Sequence, residues 1–172
     1  MAPKLETERL SLRAWRKNDF APYAQFCADE NMMTYVGGTK SLAEAWTNFC
    51  AMIGEWSVRG MGTFAVEERA SGATAGYAGL WFPIDLEEPE LCWSLFQGFH
   101  GKGYAQEAAR RVQVWAAEEL GLPPLMNFAH PENIASHKVA RRLGATCLGE
   151  TTLRGARRLF FRHADIGAGD GA

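Results

Sequence analysis

The sequence has no apolar run that approaches the roughly 18 to 20 residues a membrane-spanning helix needs. Residues Met1 to Glu6 carry charge where a secretory signal would have an apolar segment. The 4 cysteines are scattered without a C-x-x-C pair, which suits neither a zinc site nor a disulfide scaffold. These absences predict a cytoplasmic protein with free thiols, no membrane contact and no bound metal.

An excess of charge of one sign is also missing. The net charge of −2 leaves no basic footprint for nucleic acid, so we expect no nucleic-acid partner. A hydrophobic fraction of 47% is ordinary for a globular protein, and 172 residues correspond to about one domain. We expect that domain to span residues 1–166, followed by a flexible Gly-rich tail over residues 167–172, in a monomer or homodimer.

Periodic apolar patterns predict a mixed α/β (α+β) fold. We expect a central twisted mixed sheet of about six to seven strands, flanked by about four helices. Asp19 is predicted to cap one helix, and the S-x-x-E capping box at Ser41 opens the next. Strand 90–95, helix 104–120 and strand 125–129 are predicted to form a parallel crossover.

The chemistry concentrates in the loop His100-Gly-Lys-Gly-Tyr-Ala105, which lies between a predicted strand and helix. Glycines let main-chain N–H groups approach a ligand, and the following helix adds its unpaired amides and the positive end of its dipole. The loop is therefore a candidate phosphate cradle, although a tight turn would look the same. It matches neither the P-loop nor the dinucleotide-binding glycine pattern.

With its flanking segments, this loop resembles the coenzyme A-binding motif of the GNAT superfamily of acyl-CoA N-acyltransferases. That motif reads [QR]-x-x-G-x-[GA], here His100-x-x-Gly103-x-Ala105. The segment from His130 to Ser136 resembles the family's N-x-x-S helix. The segment from Thr7 to Arg13 resembles the start of the ribosomal-protein N-terminal acetyltransferases. The resemblance runs from about residue 5 to 163, which is nearly the whole chain.

The resemblance implies a single-domain fold with an acyl-CoA cleft between two splayed parallel strands, and acetyl-CoA as the cosubstrate. It implies that pantetheine bonds to strand residues and that loop amides hold the pyrophosphate. The residues so implied in cofactor binding are Trp93, Ser94, Leu95, Gly101, Lys102, Gly103, Tyr104, Ala105, Gln106 and Asn133. Asn133 is also read as a helix N-cap. His100 departs from the usual Arg or Gln of the motif.

The resemblance also implies direct attack by an amine on the thioester through a tetrahedral intermediate, with the Leu95 N–H as oxyanion donor. Glu90 is the candidate base, against the alternative of an exposed carboxylate at a strand end. The family often has a tyrosine acid where Ala140 stands. Ser136 is the substitute candidate, against the alternative that its side chain bonds the first helical turn.

The acceptor stays open between a protein N-terminus and a small amine, and the acidic connection from Asp85 to Glu90 suits either cation. Met32, Met33 and Tyr35 are our hypothesis for one wall of the acceptor pocket. The competing function is a non-catalytic acyl-CoA-binding module of the same fold. Cys92 is read as a packed residue and not as a thiol nucleophile, because it has no histidine beside it.

Overall fold

The segments with period-two alternation form strands that join into one open mixed sheet. The computed structural model describes residues 2–166, and the predicted tail over residues 167–172 lies outside them. The strands are β1 (Leu5–Glu6), β2 (Leu10–Arg13), β3 (Thr63–Glu68), β4 (Thr74–Trp81), β5 (Glu90–Leu95), β6 (Met126–Ala129), β7 (Thr146–Leu153) and β8 (Ala156–Arg162). Their order is β1-β2-β3-β4-β5-β6-β8-β7, and only the β5–β6 pair is parallel.

The α-helices are α1 (Phe20–Ala28), α2 (Glu30–Met33), α3 (Leu42–Arg59), α4 (Tyr104–Glu118) and α5 (Ile134–Arg142). Helix α3 begins at the predicted capping box and ends at a glycine. The Ser41 hydroxyl accepts from the Glu44 N–H, and the Glu44 carboxylate accepts in return from the Ser41 N–H. Gly60 ends α3 with a φ of 71°. Among the described residues, no helix combines the length and apolarity needed to cross a bilayer.

The mixed α/β class is confirmed, and the described residues contain more elements than predicted. The sheet has 8 strands, and residues 2–166 form 5 α-helices. The additions are β1, α2 and a 3-10 turn over Lys17–Asp19. Elements this short contain too few residues to show a period in the sequence.

Alternation along β3 divides the core between the two faces of the sheet. Phe64 and Val66 are buried in a cluster with residues of α4. Ala65, between them, is buried on the other face in an aromatic cluster with residues of α1 and α3. This arrangement leaves α4 and the loop before it on one face of β5, and α1 and α3 on the other.

Asp19 does not cap the helix that follows it, contrary to the prediction. Its carboxylate is bidentate to Arg13, whose two terminal nitrogens donate at 2.8 and 2.9 Å. The Thr74 hydroxyl and the Arg16 N–H also donate to it, each at 2.6 Å. The side chains of Arg13 and Asp19 are only 7% and 4% exposed. A buried guanidinium without a counter-charge is costly, and this cost outweighs the gain from one cap.

Asp19→Ala should lower the free energy of unfolding by about 3–5 kcal/mol, because it leaves Arg13 buried without its main counter-charge. The matched control is Glu150→Ala, which breaks the exposed ion pair with Arg157 and should cost about 1 kcal/mol or less. Chemical denaturation of the wild type and both variants measures the two effects. Equal losses would mean that Glu67, whose carboxylate accepts from Arg13 Nε at 2.7 Å, compensates Arg13 without Asp19.

Candidate active site

Strands β5 and β6 pair at their beginning and then separate. Their parallel register has one paired position, Glu90 with Met126. Two residues further along β6, the Phe128 N–H donates to Glu90 Oε1 at 2.9 Å. A side-chain carboxyl thus takes the place of a main-chain acceptor on β5. The strands enclose a cleft that is closed at Glu90 and opens toward Leu95 and Ala129, which confirms the predicted splay.

The main chain of β5 alternates between facing β4 and facing this cleft. The Phe96 N–H donates to the Ala75 carbonyl at 2.8 Å, so these opposed residues form a hydrogen-bonded pair of the antiparallel ladder. Because bonded and non-bonded pairs alternate in such a ladder, the N–H groups of Leu95 and Trp93 point away from β4 and toward β6. They therefore line the cleft as hydrogen-bond donors.

Ser94 has the opposite orientation along the strand. It is opposed to Tyr77 of β4, in a hydrogen-bonded position of the ladder. A Cβ added to Gly76 would lie 2.1 Å from the Ser94 carbonyl oxygen. That oxygen therefore faces β4, and only glycine fits at position 76. The register therefore favours Trp93 and Leu95 over Ser94 as main-chain donors to a ligand in the cleft.

His100 holds the end of β5 in place. Its Nε2 lies 3.0 Å from the Leu95 carbonyl oxygen. A carbonyl oxygen can only accept, so Nε2 carries the hydrogen in this bond. The ring thus ties the loop back to the strand that precedes it, and we assign His100 a positioning role.

The loop that follows turns through three glycines with positive φ, Gly98 at 87°, Gly101 at 76° and Gly103 at 81°. Helix α4 begins directly after Gly103, and its first main-chain bond runs from the Glu107 N–H to the Gly103 carbonyl at 3.1 Å. Within residues 2–166, the N–H groups from Gly101 to Gln106 have no acceptor. Together with the positive end of the helix dipole, they form an arrangement suited to a phosphate or pyrophosphate.

The N-terminal segment fastens this loop to α4. Arg9 Nη1 donates to the Lys102 carbonyl at 2.9 Å, and Arg9 Nε donates to Glu107 at 2.7 Å. The Thr7 hydroxyl donates to the same Glu107 carboxylate at 2.6 Å. The three bonds fix the loop and the first turn of α4 relative to each other, so the amides are held in place before a ligand arrives.

The Lys102 ammonium is engaged at the rim of the loop. It lies 3.2 Å from Glu68 Oε1, which also accepts from the Tyr104 hydroxyl at 2.6 Å. Hydrogen bonds from Tyr104, Ser71 and Lys102 lower the pKa of Glu68 to about 2. Lys102 therefore offers the loop its N–H, while Glu68 neutralises its ammonium.

Asn133 is the N-cap of α5, as predicted. Its Oδ1 accepts from the Ser136 N–H at 3.1 Å. The Ser136 hydroxyl is half-buried and has no hydrogen-bond partner in the described part of the chain. Ala140, at the position of the family tyrosine, lies on the buried face of α5 and has no proton to supply. Among the motif residues of α5, Ser136 is the hydroxyl left for that role.

Glu90 lies at the closed end of the cleft with a carboxyl suited to proton transfer. Burial raises its pKa to about 7, against the Phe128 N–H and the positive charges of Arg154 and Arg158, which favour the ionised form. Its Oε2 has no hydrogen-bond partner within residues 2–166. A carboxyl with a pKa near 7 can accept a proton at neutral pH, so burial favours the base over an ordinary strand-end carboxylate.

Two of the four carboxyl groups in the acidic connection before β5 are paired with arginines. Asp85 receives two hydrogen bonds of 2.7 Å from Arg154. Glu88 pairs with Arg162 at 2.5 Å. This segment therefore attracts a cationic acceptor less strongly than its sequence indicates. Of its carboxyl groups, that of Glu90 lies at the cleft.

A second buried carboxyl, Glu55 of α3, is a residue that the sequence analysis missed. Burial raises its pKa to about 7, and its Oε2 is buried without a hydrogen-bond partner.

Burial also raises the pKa of the Cys92 thiol well above its usual range, and the nearby charges of Glu90 and Glu55 add to this effect. A thiol so disfavoured as thiolate supports the interpretation of Cys92 as a packed residue.

One face of the site is lined by β6, β8 and the segment after α2. The Phe128 and Phe160 rings are stacked with centroids 5.4 Å apart, and Tyr35 lies against His130 at 5.0 Å. These four residues are all half-buried. Met33, predicted to line the same wall, is instead a core residue that is 1% exposed. The alternation Arg-Leu-Phe in β8 is the sequence signal that could have placed Phe160 here.

A separate cleft of about 380 Å³ lies on the α1 side at the end of β5. Its lining includes Phe26, Met32, Phe96 and Phe99. Met32 therefore borders this cleft, which adjoins the glycine loop through Phe99. Among the described residues, no group of three or more His, Cys, Asp or Glu side chains is placed to hold a metal ion.

A cleft between splayed parallel strands, with an amide-lined loop at one end, is the arrangement of an acyl-CoA-dependent transferase. A family model described as an acetyltransferase (GNAT) domain matches residues 9–146. The chain therefore belongs to the GNAT acetyltransferase family, and membership implies acetyl transfer. This result confirms the resemblance found in the sequence.

Solved structures and curated relatives agree with that assignment. An acetyltransferase from Agrobacterium tumefaciens str. C58 is 34% identical, with a TM-score of 0.89 and 96% of each chain covered. YnaD, an uncharacterized N-acetyltransferase of Bacillus subtilis (strain 168), is 25% identical over 143 residues, which cover 81% of each chain. RimL, a ribosomal alpha-N-protein acetyltransferase solved in complex with coenzyme A, shares the fold. It has 17% identity and a TM-score of 0.75, with 93% of this chain and 96% of that chain covered.

Proposed function

We propose that the protein transfers an acetyl group from acetyl-CoA to a primary amine by direct attack through a tetrahedral intermediate. The acceptor is a small amine or a protein N-terminus. The observation that carries this proposal is that a set of unpaired main-chain amides and a carboxyl group lie at opposite ends of one cleft. The amides from Gly101 to Gln106 lie at its open end, and the half-buried carboxyl of Glu90 lies at its closed end.

The cofactor site is built from main-chain donors. The amides from Gly101 to Gln106 bind the pyrophosphate, and the N–H groups of Trp93 and Leu95 bind the pantetheine arm and the thioester carbonyl. One such oxyanion donor contributes roughly 3 kcal/mol to lowering the barrier. The Asn133 side chain caps α5 through its Oδ1. In this proposal, its NH2 group donates to the pantetheine arm.

Glu90 acts as the general base. An alkyl ammonium has an unperturbed pKa near ~10.4, so the acceptor must lose a proton before attack. The ionised Glu90 carboxylate, which is present at neutral pH because the pKa is about 7, accepts that proton directly or through one water. The 4 free cysteines, together with acetyl-CoA as donor, support the cytoplasm as the site of the reaction.

The proposal is tested by coenzyme A release. Purified protein is incubated with acetyl-CoA and a panel of peptides, polyamines and free amino acids, and thiol release is compared with release in the absence of an acceptor. We expect amine-dependent release and an acetylated product by mass spectrometry.

The second candidate, a non-catalytic acyl-CoA-binding module, is favoured by one observation, the buried Ala140 in place of the family tyrosine. Tight binding of coenzyme A in calorimetry without amine-dependent thiol release from any acceptor of the panel would establish this alternative.

Ser136→Ala tests the proton donor to the leaving thiolate. We expect normal folding, coenzyme A affinity within a few-fold, and a kcat reduced about tenfold or more. The lower limit lies under the typical acid–base effect of about 10² because a thiolate is a modest base and needs less help from an acid. Ser136→Thr keeps a hydroxyl at the same position and is the matched control. Wild-type kcat for Ser136→Ala at saturating substrates would leave solvent as the proton donor.

A further inference from the structure

The hairpin of β7 and β8 carries four arginines, and three of them have a carboxylate partner. These pairs are Arg154 with Asp85, Arg157 with Glu150, and Arg162 with Glu88. Within residues 2–166, Arg158 has no anionic partner, and its hydrogen bond runs from Nη1 to the Arg157 carbonyl at 2.8 Å. Arg158 is nevertheless half-buried, while Arg154 and Arg157 are exposed. A partly desolvated guanidinium without a counter-charge has strong affinity for a carboxylate.

Arg158 lies on the same side of the sheet as Glu90. Side chains two apart on a strand share a face, so Arg158 projects beside Phe160. The Phe160 ring stacks on Phe128, whose N–H binds the Glu90 carboxyl. Arg158 is also close enough to Glu90 for its charge to favour ionisation of that carboxyl. The Arg158 guanidinium and the Glu90 carboxyl therefore face the same space beside the Phe128 and Phe160 rings.

The dimensions of this space suit a small molecule. From Phe160 to Arg158 is two residues along β8, roughly 7 Å. The register pairs Ala129 with Leu159, so the next position on β6, His130, is opposite Arg158. His130 in turn lies against the Tyr35 ring. An acceptor bound here meets a carboxyl at one end, a guanidinium at the other and aromatic rings between them.

We propose that the acceptor is an amino carboxylate, an amine with a carboxylate a few bonds from its nitrogen, and that Arg158 binds this carboxylate while Glu90 faces the amine. The proposal rests on the proposed function and narrows it, since free α-amino acids belong to this class. In a peptide, the α-carboxyl of the first residue is part of an amide bond and carries no charge, and a simple alkyl amine has no carboxylate. The Phe128 and Phe160 rings provide apolar surface for the carbon skeleton.

The reaction is then a balanced acyl transfer. The amine nitrogen forms the bond to the acetyl carbon, and the bond from that carbon to sulfur breaks. The proton lost by the amine goes to the Glu90 carboxylate or its water, and the thiolate leaves and is protonated as the free thiol. The acceptor carboxylate is unchanged, so the effect of Arg158 is on binding and orientation.

The experiment compares acceptors that differ only in the carboxylate. Phenylalanine and leucine are each tested beside the corresponding carboxamide and decarboxylated amine, with Arg158→Gln and Arg158→Lys as variants. The matched control is Arg157→Gln, at the adjacent exposed arginine. For the wild type, we expect kcat/KM at least about tenfold higher for the amino acids than for their analogues. Arg158→Gln should remove this preference through KM, Arg158→Lys should keep part of it, and Arg157→Gln should leave it intact.

A second measurement separates this inference from the proposed function. The amino acids are titrated calorimetrically into the complex of each protein with coenzyme A. Carboxylate-dependent binding that Arg158→Gln abolishes would support the inference even if no acetyl transfer occurred, an outcome that would overturn the proposed function alone. Acetylation without preference for the carboxylate would overturn the inference and leave the proposed function standing. Neither binding nor turnover of the amino acids would also overturn it.

Discussion

Gly103→Asp is expected to abolish coenzyme A binding while leaving the protein folded. Gly103 has a φ of 81° at the N-cap of α4, and Asp tolerates the left-handed region better than most residues. Its carboxylate would accept from the amides of Ala105 and Gln106, as N-cap aspartates do. Those are amides that the pyrophosphate needs, and the new charge also repels it. A Cβ at this position would lie 3.5 Å from Arg9 Nη2, which is ordinary contact.

Calorimetric titration with coenzyme A measures this loss, and Gly98→Asp is the matched control. Gly98 has a φ of 87° in the same loop, and a Cβ there would meet no atom within 4 Å. That variant should bind coenzyme A within a few-fold of the wild type. Both variants should fold, with similar small decreases in unfolding temperature, because both positions have a positive φ that strains any side chain. Unchanged affinity in Gly103→Asp would place the pyrophosphate elsewhere. Equal losses in both variants would indicate a general disturbance of the loop.

Glu90→Gln should lower kcat by roughly 10²–10⁴ with little change in coenzyme A affinity. A base must be ionised to accept a proton, so activity should rise with pH through the pKa of Glu90, at about 7. The variant should lose this rising limb. Glutamine keeps an oxygen that can accept from the Phe128 N–H, so the closed end of the cleft should be preserved.

Rate–pH profiles of Glu90→Gln and of the control Glu87→Gln test this assignment, because Glu87 is an exposed carboxylate of the same connection. Folding raises the pKa of Glu90, so its contribution to stability is full below the pKa of the unfolded chain. That contribution is lost as the pH rises through about 7. Above that pH, Glu90→Gln should be no less stable than the wild type, and its lost turnover cannot be ascribed to unfolding. Near-wild-type turnover would remove Glu90 from the mechanism.

Local features of the chain were predictable because they depend on neighbouring residues. The boundaries predicted for strand 90–95 match the structure at both ends. The start of α3 follows from the Ser41 capping box. The glycine loop was found because its position between a strand and a helix is itself a local pattern.

The remaining features depend on contacts between distant segments. Asp19 has a strong local signal for a cap, and it is the burial of Arg13 that decides its partner. Glu90 was ambiguous in the sequence because its burial depends on β6, more than thirty residues away. Alternation predicts the face on which Arg158 lies. That it has no carboxylate partner among residues 2–166 appears only once the neighbouring arginines are paired.

The alternating main chain of β5 makes this strand tolerant of one kind of change and intolerant of another. Its contribution to the cleft consists of N–H groups at Trp93 and Leu95, which every residue except proline possesses. Many side chains can therefore be exchanged there without removing a donor. Insertion or deletion of a single residue between Glu90 and Phe96 would instead turn both donors toward β4 and present the Ser94 amide to the cleft. For this strand, the number of residues between its ends matters more to the cleft than their identity.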